Sequence, residues 1–326
     1  MKLIIAVLAF VSVAAHAADL VLLSDRPRDR LQSVMDGFTA ETGVKVQLVS
    51  APFADLKTRL EAGEPADIVI LKDALAMGEA QISGFLQPMS AQNLAANVPA
   101  ILKDPAGEWI GLTYRVRTIA YGADAEGVGP FANYADLAAP EWKGQLCMRD
   151  AKDYVPALAA WMIARFGAAE AERLLLGWKA NLAGGAFTGN DIASLDEISQ
   201  GRCNLSVVNH YYLARKKAAQ PHFPVELVSA DSAQDGAHVN SMTAAIGKNS
   251  AALPNANAFL AYALSNEGQA RLVSPPSFEF PASLDAEPVD VVKNFGPLKP
   301  TTVLLSEVMK QGAAARTLLE KVEWAR

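Results

Sequence analysis

The stretch LVLLSDRPRDRLQSVMDGFTAETGVKVQLV, residues 20–49, decides the fold. Its first residues, 20–23, form a short apolar run that reads as a buried strand. From 28 to 42 the apolar positions return at helical spacing, Gly43 stands where a helix ends, and 44–49 reads as a second strand. Strand, helix and strand in immediate succession make the βαβ unit of an α/β fold, with a mostly parallel sheet flanked by helices.

The same rhythm continues downstream. A helix is expected over 54–61, then Pro65-Ala66-Asp67 leads into an apolar strand at 68–71, and a longer strand runs from Gly111 through Tyr121. Beyond it a second unit begins: a strand at 146–149, helices at 156–166, 168–180 and 191–200, and a strand at 205–208. Asn190 suits the N-cap of the third helix and Gly201 its stop. Residues 239–246 read as a strand returning to the first unit, followed by a helix at 255–263 and a helical tail over 302–325. Leaving one unit near residue 116 and re-entering it near 239 makes two connections, hence a hinge and a cleft in which ligands prefer to sit. The expected division is 18–115 plus 240–282 for the first lobe and 116–239 plus 283–326 for the second.

Upstream, Lys2, the apolar run 3–15 and Ala15-His16-Ala17 have the form of a cleaved signal peptide, residues 1–17, which sends the chain to the periplasm. Removing those residues from 326 leaves 309, more than one core usually holds, and takes the formal charge from −6 to −7. An acidic chain without a basic stripe is a poor partner for nucleic acid. Cys147 and Cys203, an even pair in an oxidising compartment, read as a disulfide, worth roughly 4 kcal/mol by loop-closure entropy. Neither a Gly-x-Ser-x-Gly elbow, a His-Glu-x-x-His helix nor a Gly-rich phosphate loop occurs, so an enzyme is not expected.

The chemistry concentrates in Val207-Val208-Asn209-His210-Tyr211-Tyr212-Leu213, a strand that ends in two consecutive tyrosines. Neighbours on a regular strand face opposite ways, so a shared target requires both rings to lie on the turn just past it. Such a pair taken alone is also the pattern of simple packing, an aromatic wall or a sugar platform. Its neighbourhood favours a metal: Tyr154 follows Cys147 by seven residues and Tyr211 follows Cys203 by eight, so the disulfide would set the two segments side by side. Ferric iron is small, hard and highly charged, prefers anionic oxygen, and lowers the phenol pKa enough for phenolate to form. Three phenolates neutralise Fe3+ and leave positions for a small anion such as carbonate or citrate. Arg115, Arg117 and Arg26 are the candidates to hold that anion, and Asp25, Asp73 and His210 are possible further contacts from the first lobe or the rim.

Leu146-Cys147-Met148-Arg149, Gly189-Asn190-Asp191, Gly201-Arg202-Cys203-Asn204, Val208 to Leu213, His238-Val239-Asn240 and Phe278-Glu279-Phe280-Pro281 together resemble the periplasmic ferric-iron-binding proteins of bacterial ABC transporters. The resemblance implies a two-lobed type II periplasmic-binding fold with the metal in the cleft. It matches Tyr211 and Tyr212 to the family's paired ligands, Tyr154 to the third, and Arg115 to an arginine on the synergistic anion. The chain departs from the family at Ser24-Asp25-Arg26-Pro27-Arg28, where many members carry a His or Tyr ligand, and at Lys72, where some carry Glu. It further implies a monomer that meets the membrane only through a transporter permease. An organic anion, a phosphonate or a ferric chelate such as iron citrate stays open as the alternative cargo.

Overall fold

The computed structural model of the chain describes residues 19–89, 96–123, 133–150, 155–186 and 189–324; the leader expected at 1–17 lies outside them. Strand β1 (Leu20–Ser24), helix α1 (Gln32–Thr42) and strand β2 (Val46–Ser50) form the anticipated unit, β2 parallel to β1 with Leu20 opposite Val46. α1 stops where Gly43 takes φ +75°, a left-handed conformation open to glycine without a Cβ clash, and gives its N–H to the Thr39 carbonyl.

Helix α2 (Phe53–Glu61) leads to β3 (Ile68–Leu71), which lies parallel to β1 on its other side. Helix α3 (Ala74–Ile82) and the short β4 (Leu86–Gln87) follow, and then the long β5 (Trp109–Gly122). The second unit comprises β6 (Leu146–Cys147), α4 (Val155–Phe166), α5 (Ala168–Ala180), α6 (Asp191–Ser199), β7 (Leu205–Asn209), α7 (His210–Ala219) and β8 (Val225–Val228). The chain returns through β9 (Val239–Gly247), α8 (Leu253–Leu264), α9 (Asn266–Val273) and β10 (Phe280–Pro281), and ends with α10 (Asp290–Lys293), α11 (Leu305–Met309) and α12 (Gly312–Lys321).

The strands lie in the order β2-β1-β3-β9-β5-β7-β6. β5 joins the two halves by changing partner at one peptide: Val116 still faces Val239 of β9, and Arg117 already faces Asn209 of β7. The parallel pairs are β1–β2, β1–β3 and β6–β7; β5 and β9 run antiparallel because one leaves the first half and the other comes back beside it. β3 and β9 are buried along their whole length, as strands covered on both faces must be.

Each half has its own aromatic centre. In the first, Phe38 of α1 meets Phe259 of α8 edge-on at 5.2 Å. In the second, Tyr134 meets Trp161 of α4 edge-on at 5.4 Å, and the indole N–H of Trp178 bonds the Tyr134 carbonyl at 3.0 Å. A fully buried side chain of this size contributes about 2–3 kcal/mol, provided its polar atom finds a partner. Tail helices α11 and α12 pack on α4, and Cys147 and Cys203 form the expected disulfide with Cα atoms 5.9 Å apart.

Candidate functional site

The buried strand β7 passes without a loop into α7, whose first turn carries His210, Tyr211 and Tyr212. The tyrosines were expected on a turn past the strand; the chain instead starts a helix there, and their rings come together at 4.4 Å with a tilt of 37°. Arg215 is four residues after Tyr211 and three after Tyr212, which puts it on the same side of the helix. Its guanidinium lies over both rings, 4.5 and 5.1 Å from their centres, and bonds the carbonyls of Pro276 and Ser277. The Asn209 amide donates to the Tyr211 oxygen at 3.2 Å. Burial, then the charges of Tyr211 and Asp191, push the Tyr212 phenol well above its ordinary pKa, so at neutral pH it keeps its proton until a cation displaces it.

Across from the pair, Arg26, on the loop after β1, bonds Glu279 at 2.6 Å, and the Thr113 hydroxyl donates to the other oxygen of the same carboxylate. Burial alone would raise Glu279, but Arg26 and Arg115 outweigh it and hold the group at about 2. For Arg26 the balance is similar: burial lowers its pKa, while Glu279, Tyr211 and Asp25 more than offset that, which places it within electrostatic reach of the tyrosine pair. Arg115 gives one N–H to the Lys72 carbonyl at 2.6 Å, and its Nη1 is buried with no hydrogen-bond partner among the described residues.

Arg117, grouped with these two in the sequence reading, is committed elsewhere. Its Nη1 lies 3.3 Å from Asp191, a fully buried carboxylate that also takes Arg149 at 3.4 Å and the Asn209 N–H at 2.8 Å. His210 is likewise no rim contact: it is fully buried, with Nδ1 accepting from the Val116 N–H at 3.2 Å and Nε2 facing the Phe278 carbonyl at 3.0 Å, so neither nitrogen is free for a metal. Burial brings its pKa down to about 4. Asp25 accepts the Lys72 N–H at 2.7 Å, and Asp73 caps α3 at the Leu75 N–H and receives the Asn240 amide. Both border a cavity of about 650 Å³ that also touches Phe53, Lys72, Pro156 and Arg316. Tyr154 lies outside the described residues. Among those residues no three His, Cys, Asp or Glu side chains gather closely enough to hold a metal.

The sequence profile described as "Bacterial extracellular solute-binding protein" matches residues 20–274. The chain belongs to that family. This solute-binding protein is 30% identical over 324 residues to iron uptake protein A2 of Synechocystis sp., covering 95% of this chain and 91% of that one. Its fold superposes on Trichodesmium IdiA (FutA), solved in complex with iron and citrate ligands, with a TM-score of 0.87 at 31% identity over 94% of this chain and 99% of that one. A Bordetella ferric binding protein superposes at 0.86 with 30% identity, covering 94% of this chain and the whole of the other. Family membership places the protein among two-lobed binding proteins that carry solutes for transport, not among enzymes.

Sequence reasoning did not find four contributors to the solute-binding protein's site. Arg215 was legible from its helical offset to the tyrosines, had α7 been recognised, and Glu279 stood in a quoted motif without a role. Asn209 and Asp191 also stood in quoted motifs without a role, since their parts depend on which strand ends meet.

Proposed function

We propose that this protein captures ferric iron in the periplasm and hands it to the permease of an ABC-type importer. The observation that carries the reading is the Tyr211–Tyr212 pair on the first turn of α7, in a chain so close in fold to iron-binding proteins. Two phenolates there, with Tyr154 as the third, suit a hard trivalent cation. The helix N-terminus adds a positive partial charge that favours the anionic form of the ligands. Arg26 and Arg115 then hold a carbonate or a citrate carboxylate on the open side of the metal, while Asp25 and Asp73 remain candidate contacts from the cavity they border. Closure is read as rotation of lobe 18–115 plus 240–282 against lobe 116–239 plus 283–326, in a monomer.

The test is a visible absorption titration of the mature protein with ferric citrate, beside Tyr211→Phe and Tyr212→Phe. A red-orange phenolate-to-iron band that weakens in each variant is expected; a colourless wild type would refute iron ligation. In a second reading iron arrives as an anionic chelate, which the buried, unpartnered Nη1 of Arg115 favours. In that case a chelator should bind together with the metal, and calorimetry with iron-free citrate should give little heat.

A further inference from the structure

The residue that precedes the tyrosine pair touches the hinge from both sides. β5 switches partner between Val116 and Arg117, so the two halves of the sheet meet at that peptide. The Val116 N–H donates to His210 Nδ1, so the imidazole proton sits on Nε2 and is given to the Phe278 carbonyl. Phe278 holds φ +60°, a left-handed backbone unusual for a bulky residue, two residues before β10, which pairs with β5 at Thr113 and Tyr114. The His210 ring also lies 4.6 Å from Phe280, which in turn stacks on Tyr114 at 5.1 Å. One peptide further on, the Tyr134 hydroxyl donates to the Arg117 carbonyl at 2.7 Å and accepts the His238 N–H at 3.2 Å, joining the outgoing and returning crossings.

We infer that His210 is a positioning residue that couples the tyrosine pair to the hinge: its two ring nitrogens lock the first turn of α7 to the outgoing crossing and to the Phe278 backbone. Movement of Tyr211 and Tyr212 onto a ligand is thereby transmitted to the peptide at which the lobes pivot. The spacing allows no slack, because His210 is adjacent in sequence to Tyr211 and bonded to the residue at the pivot. Where the cargo is named as iron, the inference rests on the function proposed above; the link to the hinge does not.

Mature wild type, His210→Gln and His210→Phe are compared in two assays, with circular dichroism and thermal melts confirming that each is folded. Glutamine carries one acceptor and one donor and can restore both bonds; phenylalanine fills the space and restores neither. In the first assay the protein is loaded with ferric citrate and challenged with excess EDTA in a stopped-flow instrument. His210→Phe is expected to lose iron at least tenfold faster with a shifted phenolate band, and His210→Gln to stay within about threefold of wild type. In the second, small-angle scattering of the ligand-free protein is expected to give a changed radius of gyration for His210→Phe alone. Wild-type release and band in His210→Phe would overturn the coupling, as would an unchanged radius of gyration. Absence of any band in the wild type would defeat the iron reading, and the scattering assay would then decide the hinge link by itself.

Discussion

Replacing Glu279 with glutamine should lower stability by an amount that depends on pH in a calculable way. In the fold this carboxylate is 2% exposed, bonded to Arg26 and Thr113, and held at about 2 against an ordinary value of 4.5. Because the folded pKa is depressed, the unfolded chain binds the extra proton between those values. The stabilisation is therefore complete above about pH 4.5 and is lost as pH falls toward 2. A gap of about 2.5 pH units corresponds to about 3 kcal/mol, of which about 2 kcal/mol has gone by pH 3. At pH 7 Glu279→Gln leaves Arg26 buried without its counter-charge, a loss of at least about 3 kcal/mol. Urea unfolding of the metal-free mature proteins at pH 7 and pH 3 reads the difference directly, since other carboxylates titrate alike in both. The gap between wild type and variant should shrink from about 3 to about 1 kcal/mol. Parallel profiles, with the same gap at both pH values, would show that Glu279 is not the ionised partner of Arg26.

Three more outcomes are expected. Reduction of the bound metal to Fe2+ should release it, because a softer and less charged ion gains less from phenolates, so dithionite should bleach the band and equal retention of both oxidation states would contradict the site. Changing both Cys147 and Cys203 to serine should lower unfolding stability by roughly 4 kcal/mol in denaturant while leaving the iron band in place, because the bridge constrains the unfolded chain and is not a ligand. Asp191→Asn should weaken iron binding and cost about 3 kcal/mol or more, since Arg117 and Arg149 then share a buried neutral amide; calorimetry and urea unfolding measure the two effects, and a silent variant would show that the Asp191 cluster does not support α7.

The parts of the fold that were legible share one property: their signals are local. Gly43 and Gly201 at helix ends, Asn190 at a helix start and the apolar runs of β1, β3, β7 and β9 all read correctly because caps and periodicity act within a few residues. The adjacent tyrosines are a local signal as well, whereas the disulfide, 56 residues apart, was legible from the even cysteine count and the compartment. α3 went unseen because residues 74–82 are apolar nearly all round and carry no stripe; only Asp73, weighed as an iron donor, marked its start as a cap. Arg117 and Arg115 sit two apart on one strand and look equivalent in sequence. Asp191, 74 residues away, claims Arg117, while the Lys72 carbonyl and the charge of Glu279 engage Arg115.

The helix in place of a turn explains how consecutive tyrosines can share a target at all. On a strand they would diverge to opposite faces; on a first helical turn their directions differ by about 100°, and the long rings can converge while Arg215 covers both from the next turn. Starting that helix on the last hydrogen-bonded residue of β7 fixes its position to the sheet at Asn209, whose strand partner is Arg117. The proposed ligands are therefore separated from the pivot by one ladder pair and one histidine. A site placed in a long loop would absorb ligand-induced movement in its own backbone. On the coupling inferred above, a shift of the tyrosines is passed to the crossing strands at Val116 and Arg117, where hinge closure would be expressed.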